Sequence, residues 1–318
     1  RIRQAVRHGT VVNRLVNVDS DWALAVRHSV VVDATRWVQA LANIAAAVAA
    51  EKAVKAPAVG DAQPQDVAVA KALLSGERKA IFLGNAAVHH AKASSLLSLA
   101  NWIGEQTGAT VGILSEAANT VGAQVIRAVP GAGGLHATQM LSGGLKAALL
   151  LNTEPVQDSA VGRDCSAGLS KADMVGTLSP FKTNLDFSDV LLPIAPFTET
   201  AGTFINAEGR IQSFHAVVKP LGEARPAWKV LRVLGNLLQL SGFGFDSAQE
   251  VMAQLYPNGV PEMVPTASLG NACDAPVDLS VCCVQPCTAS IYQLDGLVRR
   301  ATSLQLTADG RAAAKVDQ

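Results

Sequence analysis

The sequence predicts an α/β protein built around a mostly parallel, doubly wound sheet, followed by a loop-rich C-terminal extension. Two observations predict this fold class. Short apolar runs alternate along the chain with longer segments of helical periodicity, which is the pattern of repeated βα units. In addition, 49% of the 318 residues are hydrophobic, so the chain is long and apolar enough to bury a large core.

Six short apolar runs are predicted as strands, because strands of a covered parallel sheet read as nearly continuous apolar segments. They lie at residues 11–18, 80–83, 110–114, 147–151, 174–178 and 190–192. Segments of helical periodicity separate them, at residues 34–55, 91–103, 119–128 and 160–171. A helix between successive strands favours parallel pairing, because parallel strands need a long crossover connection.

Local signals mark where several elements end or begin. The run 190–192 is followed by Pro193, which has no N–H to offer a sheet ladder and therefore ends the strand. Pro226 opens a helix, because the missing N–H of proline costs nothing in the first turn. Ser247 and Glu250 have the spacing of a capping box, which predicts a further short helix.

The domain organisation is predicted from one break in periodicity. Residues 56–66 contain two prolines and a glycine without any periodic pattern, so they are predicted to form a surface linker. The linker separates an incomplete α/β piece at 1–55 from an α/β domain at 67–245. A short helix and an extended tail are expected at 246–318.

Charge and composition argue against several classes of partner. Lys and Arg total 26, as do Asp and Glu, and no basic stripe is interleaved with aromatic residues, so no nucleic acid partner is expected. The most apolar stretch, residues 41–50, is too short to span a bilayer, so no direct membrane insertion is expected. Five cysteines without a secretory signal indicate a reducing, cytoplasmic compartment. Residues 1–8 read as a helix already under way, so the N-terminus is expected to be a truncation.

The most informative segment is 189–240, where a buried strand, an irregular polar loop and a capped helix follow one another. The loop concentrates hydrogen-bonding side chains, and Glu199, Asn206, Glu208 and Arg210 could form a cofactor-binding pocket. Alternatively, these side chains satisfy buried backbone groups and one another, with Arg210 bridging a carboxylate in a buried bidentate pair. We favour the second, structural interpretation.

The remaining motifs do not assign a catalytic residue or a metal site. The turn at Gly84 follows a strand, but it lacks the glycine pattern of a dinucleotide loop and that of a P-loop. The six histidines contain no H-E-x-x-H pattern. Cys165 lacks the G-x-S-x-G context of a nucleophile, so a buried thiol is expected there. The spacing of Cys282, Cys283 and Cys287 argues against an iron–sulfur or zinc site, and their role stays open.

Two long segments carry a resemblance to a known family. PIAPFTETAGTFINAEGR at 193–210 and VVKPLGEARPAWKVLRVLGN at 217–236 resemble the C-terminal region of the large peripheral-arm subunit of the bacterial proton-pumping NADH:quinone oxidoreductase, respiratory complex I. Further similar segments are GNAAVHHA, VPGAGGLHATQML and LSPFKTNLDFSDVLLP. A looser form of the loop, a glutamate followed by GT, N-x-E-G-R and a glutamine, is shared with the wider molybdopterin-oxidoreductase superfamily.

The resemblance implies a molybdopterin-oxidoreductase-like fold and an architectural role in electron transfer from NADH to quinone. It implies 2Fe-2S and 4Fe-4S clusters in an N-terminal part of the large peripheral-arm subunit that this sequence does not contain, and no cofactor in this portion. It implies the other peripheral-arm subunits of complex I as partners. It also implies a location on the cytoplasmic side of the inner membrane, peripheral to the bilayer.

An alternative from another class remains open. The looser form of the polar loop also fits a molybdenum-dependent oxidoreductase, such as a formate dehydrogenase or a nitrate reductase, with a pterin cofactor bound partly by Glu199, Asn206, Glu208 and Arg210. The longer segments at 193–210 and 217–236 favour the complex I subunit over this alternative.

Overall fold

The computed structural model describes residues 1–281 and 290–316. It is an α/β structure with two compact units: Arg1–Glu116 together with Leu269–Thr288, and Ala117–Ser268 together with Ala289–Gln318. Three of the four sheets formed by the described residues are parallel, and the fourth is an antiparallel hairpin. The expected fold class is confirmed, with the parallel strands distributed among small sheets.

The first unit is a helical layer against two parallel strand pairs. Its helices are α1 (Ile2–Arg7), α2 (Trp37–Lys52), α3 (Pro64–Ser75), α4 (Asn85–Val88) and α5 (Ala93–Thr107). Its strands are β1 (Asn13–Val16), β2 (His28–Val31), β3 (Ala80–Leu83) and β4 (Thr110–Ile113), with β1 paired to β2 and β3 to β4.

Helices α2 and α5 form the core of this unit. Val48 of α2 and Leu99 of α5 are fully buried, and Ile103 is almost so. The small alanines of α2 let the chain approach closely, since a Cβ on Gly60 would lie 2.4 Å from the carbonyl oxygen of Ala42. Residues near Gly60 therefore pack directly against α2.

The second unit has more and shorter elements. Its helices are α6 (Thr120–Val125), α7 (Ala137–Leu141), α8 (Pro155–Asp158), α9 (Cys165–Leu169), α10 (Ala227–Leu237), α11 (Ala248–Leu255), α12 (Gly296–Arg300), α13 (Thr302–Gln305) and α14 (Ala308–Val316). Its strands are β5 (Ala147–Leu151), β6 (Met174–Ser179), β7 (Val190–Pro193), β8 (Gly202–Ile205) and β9 (Ile211–Phe214).

The three-stranded parallel sheet β5–β6–β7 organises the second unit. The central strand β6 is buried along almost its whole length. One face packs Leu150 and Val175 against Cys165 and Leu169 of α9. This face, together with α9, forms the core of the second unit.

The opposite face of β5–β6–β7 is apolar and partly uncovered. The register aligns Leu149 with Val190 across Gly176, and Leu151 with Leu192 in the next pair along the strands. The four flanking side chains, Leu149, Leu151, Val190 and Leu192, are 48%, 44%, 38% and 40% exposed.

The sheet of the first unit shows the same feature. Ile81, Leu83 and Val111 pack on its core, whereas Phe82 on the other face is 51% exposed and lies over Gly112. Parallel sheets are ordinarily covered on both faces. Each unit therefore presents an apolar sheet face without a covering layer among the described residues.

All six predicted strands are present, with ends that agree within two residues. Three further strands were missed. The polar loop, predicted as irregular, is largely the hairpin β8–β9, because its side chains alternate so that Phe204 contacts Phe214 while Thr203 bonds Ser213. The predicted helix at 160–171 is shorter, consisting of a 3₁₀ turn and α9.

The compact units divide the chain at a different place from the predicted domain boundaries. Residues 56–66, predicted as a linker, are held against α2, where the side-chain oxygen of Asn43 accepts the N–H of Asp61 at 3.0 Å. Helix α3 begins inside this segment, and Gln63 and Asp66 form its capping box. Residues 269–281 belong to the first unit rather than to a separate tail.

Candidate functional site

The candidate site lies where the parallel strands of the second unit end. In open α/β sheets, ligands bind outside the carboxyl ends of the strands. Strands β5 and β6 are parallel, and the N–H of Asn152 continues their ladder to the carbonyl oxygen of Leu178 at 2.8 Å. Asn152 then adopts a left-handed conformation with φ 49°, and the chain turns into α8. We call this end of β5–β6–β7 the carboxyl edge.

Glu154 is the buried acid at the carboxyl edge. Its side chain is only 11% exposed. Arg300 binds its carboxylate in a bidentate fashion, with Nη1 2.7 Å from Oε1 and Nη2 3.1 Å from Oε2. The guanidinium carbon of Arg300 also lies 4.2 Å from the ring centroid of Phe181, which follows β6. The carboxylate therefore binds a planar cation that is also stacked on an aromatic ring.

A second acid, Asp158, completes the cluster. Its Oδ2 accepts the N–H of Glu154 at 2.7 Å, and its Oδ1 accepts from Nη1 of Arg299 at 2.8 Å. Nη1 of Arg299 also donates to the carbonyl oxygen of Gln293 at 2.7 Å. The two carboxylates are thus paired with two guanidinium groups of the same chain.

Sequence reasoning missed this cluster. Glu154 was detectable in principle, because it comes three residues after an apolar strand whose carboxyl end is a preferred ligand position. Arg299 and Arg300 were not, since 146 residues separate Arg300 from Glu154 and no local pattern links them.

The four residues of the polar loop are not gathered into one pocket. The Oδ1 of Asn206 accepts the N–H groups of Glu208 and Arg210, both at 3.0 Å, which closes the turn between β8 and β9. Glu199 instead accepts the N–H of Leu221 at 3.0 Å. The structure brings Asn206, Glu208 and Arg210 together at one turn and places Glu199 in a separate contact. Their assignment as cofactor ligands stays a prediction.

The expected ion pair of Arg210 forms on the surface rather than in the interior. Its partner is Glu262, and the two side chains are 42% and 76% exposed. The hairpin turn carries the side chain of Arg210 outward, while its backbone N–H donates to Asn206. The prediction of a buried pair is therefore wrong.

The histidines and the turn at Gly84 have structural contacts. His90 is buried, its Nε2 lies 2.9 Å from the carbonyl oxygen of Ala34, and its Nδ1 accepts the N–H of Lys92 at 3.0 Å. Nε2 of His89 lies 2.8 Å from Glu116. Within residues 1–281 and 290–316, no group of three or more His, Cys, Asp or Glu side chains is placed to hold a metal ion.

The thiol of Cys165 is fully buried in the core of the second unit, and this burial raises its pKa above the usual value. A protonated, inaccessible thiol is a poor nucleophile. Cys282, Cys283 and Cys287 lie outside the described residues.

A groove of about 420 Å³ lies between α6, β8 and α11. Its walls are mostly apolar, from Ile126, Val251 and Leu255 among others, and these three side chains are more than 40% exposed. The side chain of Asn119 at its rim accepts the N–H of Ile205 at 2.8 Å. The residues that line the groove include no charged group, and they form no catalytic arrangement.

Comparison with known proteins identifies relatives of this chain. The family described as molybdopterin oxidoreductase matches residues 1–237. A Staphylococcus aureus protein named "Putative formate dehydrogenase" is 47% identical over 60 residues, which is 19% of this chain and 6% of that protein. The mitochondrial NADH-ubiquinone oxidoreductase 78 kDa subunit of Candida albicans is 46% identical over 52 residues, 16% of this chain and 7% of that subunit.

A third relative is the Bacillus subtilis protein named "Probable oxidoreductase YjgC", 38% identical over 69 residues, 22% of this chain and 7% of that protein. In each of these three relatives the matched segment covers less than a tenth of the relative's own length.

None of the helices that the structure describes combines the length and the apolar composition needed to cross a bilayer.

Proposed function

This chain belongs to the molybdopterin oxidoreductase family, and on that basis we propose that it is an architectural part of the large peripheral-arm subunit of a proton-pumping NADH:quinone oxidoreductase, bacterial complex I. The similarity to the 78 kDa subunit of the Candida albicans enzyme supports the proposal. The chain would support the electron-transferring part of that subunit rather than carry electrons itself.

The observation that carries the architectural role is the apolar sheet face in each unit. Leu149 and Leu192 on one sheet, and Phe82 on the other, expose large side chains from parallel strands. A parallel sheet gains stability when helices or another protein layer remove both faces from water. Faces of this kind suit a body that is packed against neighbouring protein.

The residues at the carboxyl edge do not fit a molybdopterin cofactor. The pterin carries a phosphate, whereas this edge presents the carboxylates of Glu154 and Asp158, which are paired with the chain's own arginines. The described residues also lack a cluster of metal-ligating side chains. The proposed role therefore involves no cofactor chemistry in this portion.

The remaining features of the proposal follow from the resemblance to the complex I subunit. The 2Fe-2S and 4Fe-4S clusters would reside in the N-terminal part of that subunit. The partners would be the other peripheral-arm subunits. The chain would lie on the cytoplasmic side of the inner membrane, and it would reach the bilayer only through those partners.

A second candidate is a molybdenum-dependent oxidoreductase of the formate dehydrogenase type. The similarity to the Staphylococcus aureus protein favours it. In that case the polar loop residues Glu199, Asn206, Glu208 and Arg210 would lie near the pterin. Metal analysis of the complete purified protein separates the two candidates, because stoichiometric molybdenum contradicts the architectural role and supports the second one.

The apolar faces give a second experiment. Leu149→Glu and Leu192→Glu, introduced into the complete protein, should shift it from a large membrane-associated assembly to a free pool on native gels. Leu221→Glu is the matched control, since Leu221 is 83% exposed in a loop outside the sheet. Assembly that is unchanged in the two sheet variants would contradict the proposed role of this face.

A further inference from the structure

Residues 290–305 form a strap that is ordered by its own hydrogen bonds. Asp295 caps α12 by accepting two N–H groups of its first turn, at 2.8 and 3.3 Å. The side chain of Gln305 donates to the carbonyl oxygens of Tyr292 at 2.9 Å and Val298 at 2.8 Å. The strap is thus a small folded piece rather than an extended tail.

Two arginines attach the strap to the rest of its unit. Among the residues that the structure describes, every side-chain hydrogen bond between the strap and the rest of the second unit comes from Arg299 or Arg300. The apolar side chains of the strap contribute less, since Ile291 and Leu297 are 74% and 40% exposed. The attachment is therefore a polar latch and not a hydrophobic interface.

The site that receives Arg300 is shaped for a guanidinium group. The carboxylate of Glu154 presents two acceptors to a planar fork of donors, and the ring of Phe181 faces the same cation. Gly296 lies against this site, because a Cβ there would stand 3.2 Å from Oε1 of Glu154 and 3.5 Å from Phe181. The strap therefore approaches closely enough to exclude other ligands.

We propose that the carboxyl edge is a guanidinium-binding site filled in cis by Arg300, and that the strap is thereby a latch that closes the edge to other ligands. The buried position of Glu154 makes the latch strong, because an unpaired carboxylate there would be poorly solvated. Emptying the site leaves a receptor for a small alkylguanidinium ion. This inference does not depend on which oxidoreductase the chain belongs to.

The first test is amide hydrogen exchange of the full chain carrying Arg300→Ala. The exchange protection of residues 290–305 should fall by on the order of a hundredfold, since the variant leaves a buried charge without its partner. Arg225→Ala is the matched control, because the side chain of Arg225 donates to the nearby carbonyl oxygens of Gly222 and Ala224. A strap that is unprotected in the parent chain, or equally protected in Arg300→Ala, would overturn the latch.

The second test adds methylguanidinium chloride to Arg300→Ala at concentrations far below denaturing ones. The ion should raise the melting temperature of this variant, whereas sodium chloride at equal ionic strength should not. The parent chain, whose site is filled, should show no such increase. Equal responses to the two salts would overturn the guanidinium site.

Arg300→Ala could unfold the second unit altogether, which circular dichroism would reveal. The double variant Glu154→Gln, Arg300→Met then replaces it, because it removes both members of the pair and leaves neither charge buried alone. The strap should lose protection in this variant while the strands of the sheet keep theirs. Protection of the strap that persists in the double variant contradicts the proposal.

Discussion

The ammonium group of Lys92 lies 3.0 Å from the carboxylate of Asp278, although 186 residues separate them in the chain. The contact fastens residues 271–281 along helix α5. Ser98 and Asn101, at further steps along the helix, donate to backbone carbonyls of this segment at 2.8 and 3.1 Å. The segment is held largely through its backbone, so its path depends little on its own side chains.

The first prediction concerns the pH dependence of this contact. The hydroxyl and the N–H of Ser280, and then Lys92, donate to Asp278 and lower its pKa from 3.8 to about 2. Because the folded pKa is the lower one, the contribution is complete above pH 3.8 and is lost as the pH falls towards 2. Exchange protection of 271–281 should therefore decline across this window.

Asp278→Asn should remove that pH dependence, whereas Asp274→Asn should keep it. Persistence of the decline in Asp278→Asn would assign it to another group. Carboxyl NMR titration provides the direct value, and Ser280→Ala should move the pKa of Asp278 upward.

The second prediction concerns Ser98. Its hydroxyl donates to the carbonyl oxygen of Ala275 at 2.8 Å in a partly buried position. Ser98→Ala should lower the free energy of unfolding of the first unit by about 1 kcal/mol, because the carbonyl then loses its partner. Ser94→Ala, on the exposed side of α5, should have little effect in the same calorimetric measurement. Equal melting temperatures for the two variants would show that the segment is held without Ser98.

The sequence predicted strands better than it predicted contacts. Apolar runs such as 147–151 are visible locally, because burial on both sides requires continuous aliphatic residues. The hairpin β8–β9 was hidden by the polar content of its strands, whose alternation is clear only once Thr203 is seen opposite Ser213. The cluster of Glu154 with Arg300 joins distant segments, and no periodicity encodes such a pairing.

The third prediction concerns Arg210, where the structure changes the expected magnitude. A buried ion pair would lose about 3 to 5 kcal/mol when one partner is removed. Arg210 and Glu262 are both well exposed, so water and salt screen their attraction. Arg210→Ala should therefore reduce the free energy of unfolding by about 1 kcal/mol or less. A loss as large as that of a buried pair would show that the hairpin turn is covered by another part of the molecule.

The last prediction concerns Gly168, in the interior of α9. A Cβ at this position would lie 2.2 Å from the carbonyl oxygen of Leu141, at the end of α7. Helix propensity alone predicts that Gly168→Ala stabilises α9 by up to about 1 kcal/mol.

The contact with Leu141 predicts the opposite sign, because a backbone oxygen cannot move aside as a flexible side chain can, and overpacking costs about 1 to 3 kcal/mol. Gly168→Ala should therefore lower the melting temperature of the second unit. Gly131→Ala, which meets no atom within 4 Å, should leave it nearly unchanged. A higher melting temperature for Gly168→Ala would mean that α7 and α9 are not in backbone contact.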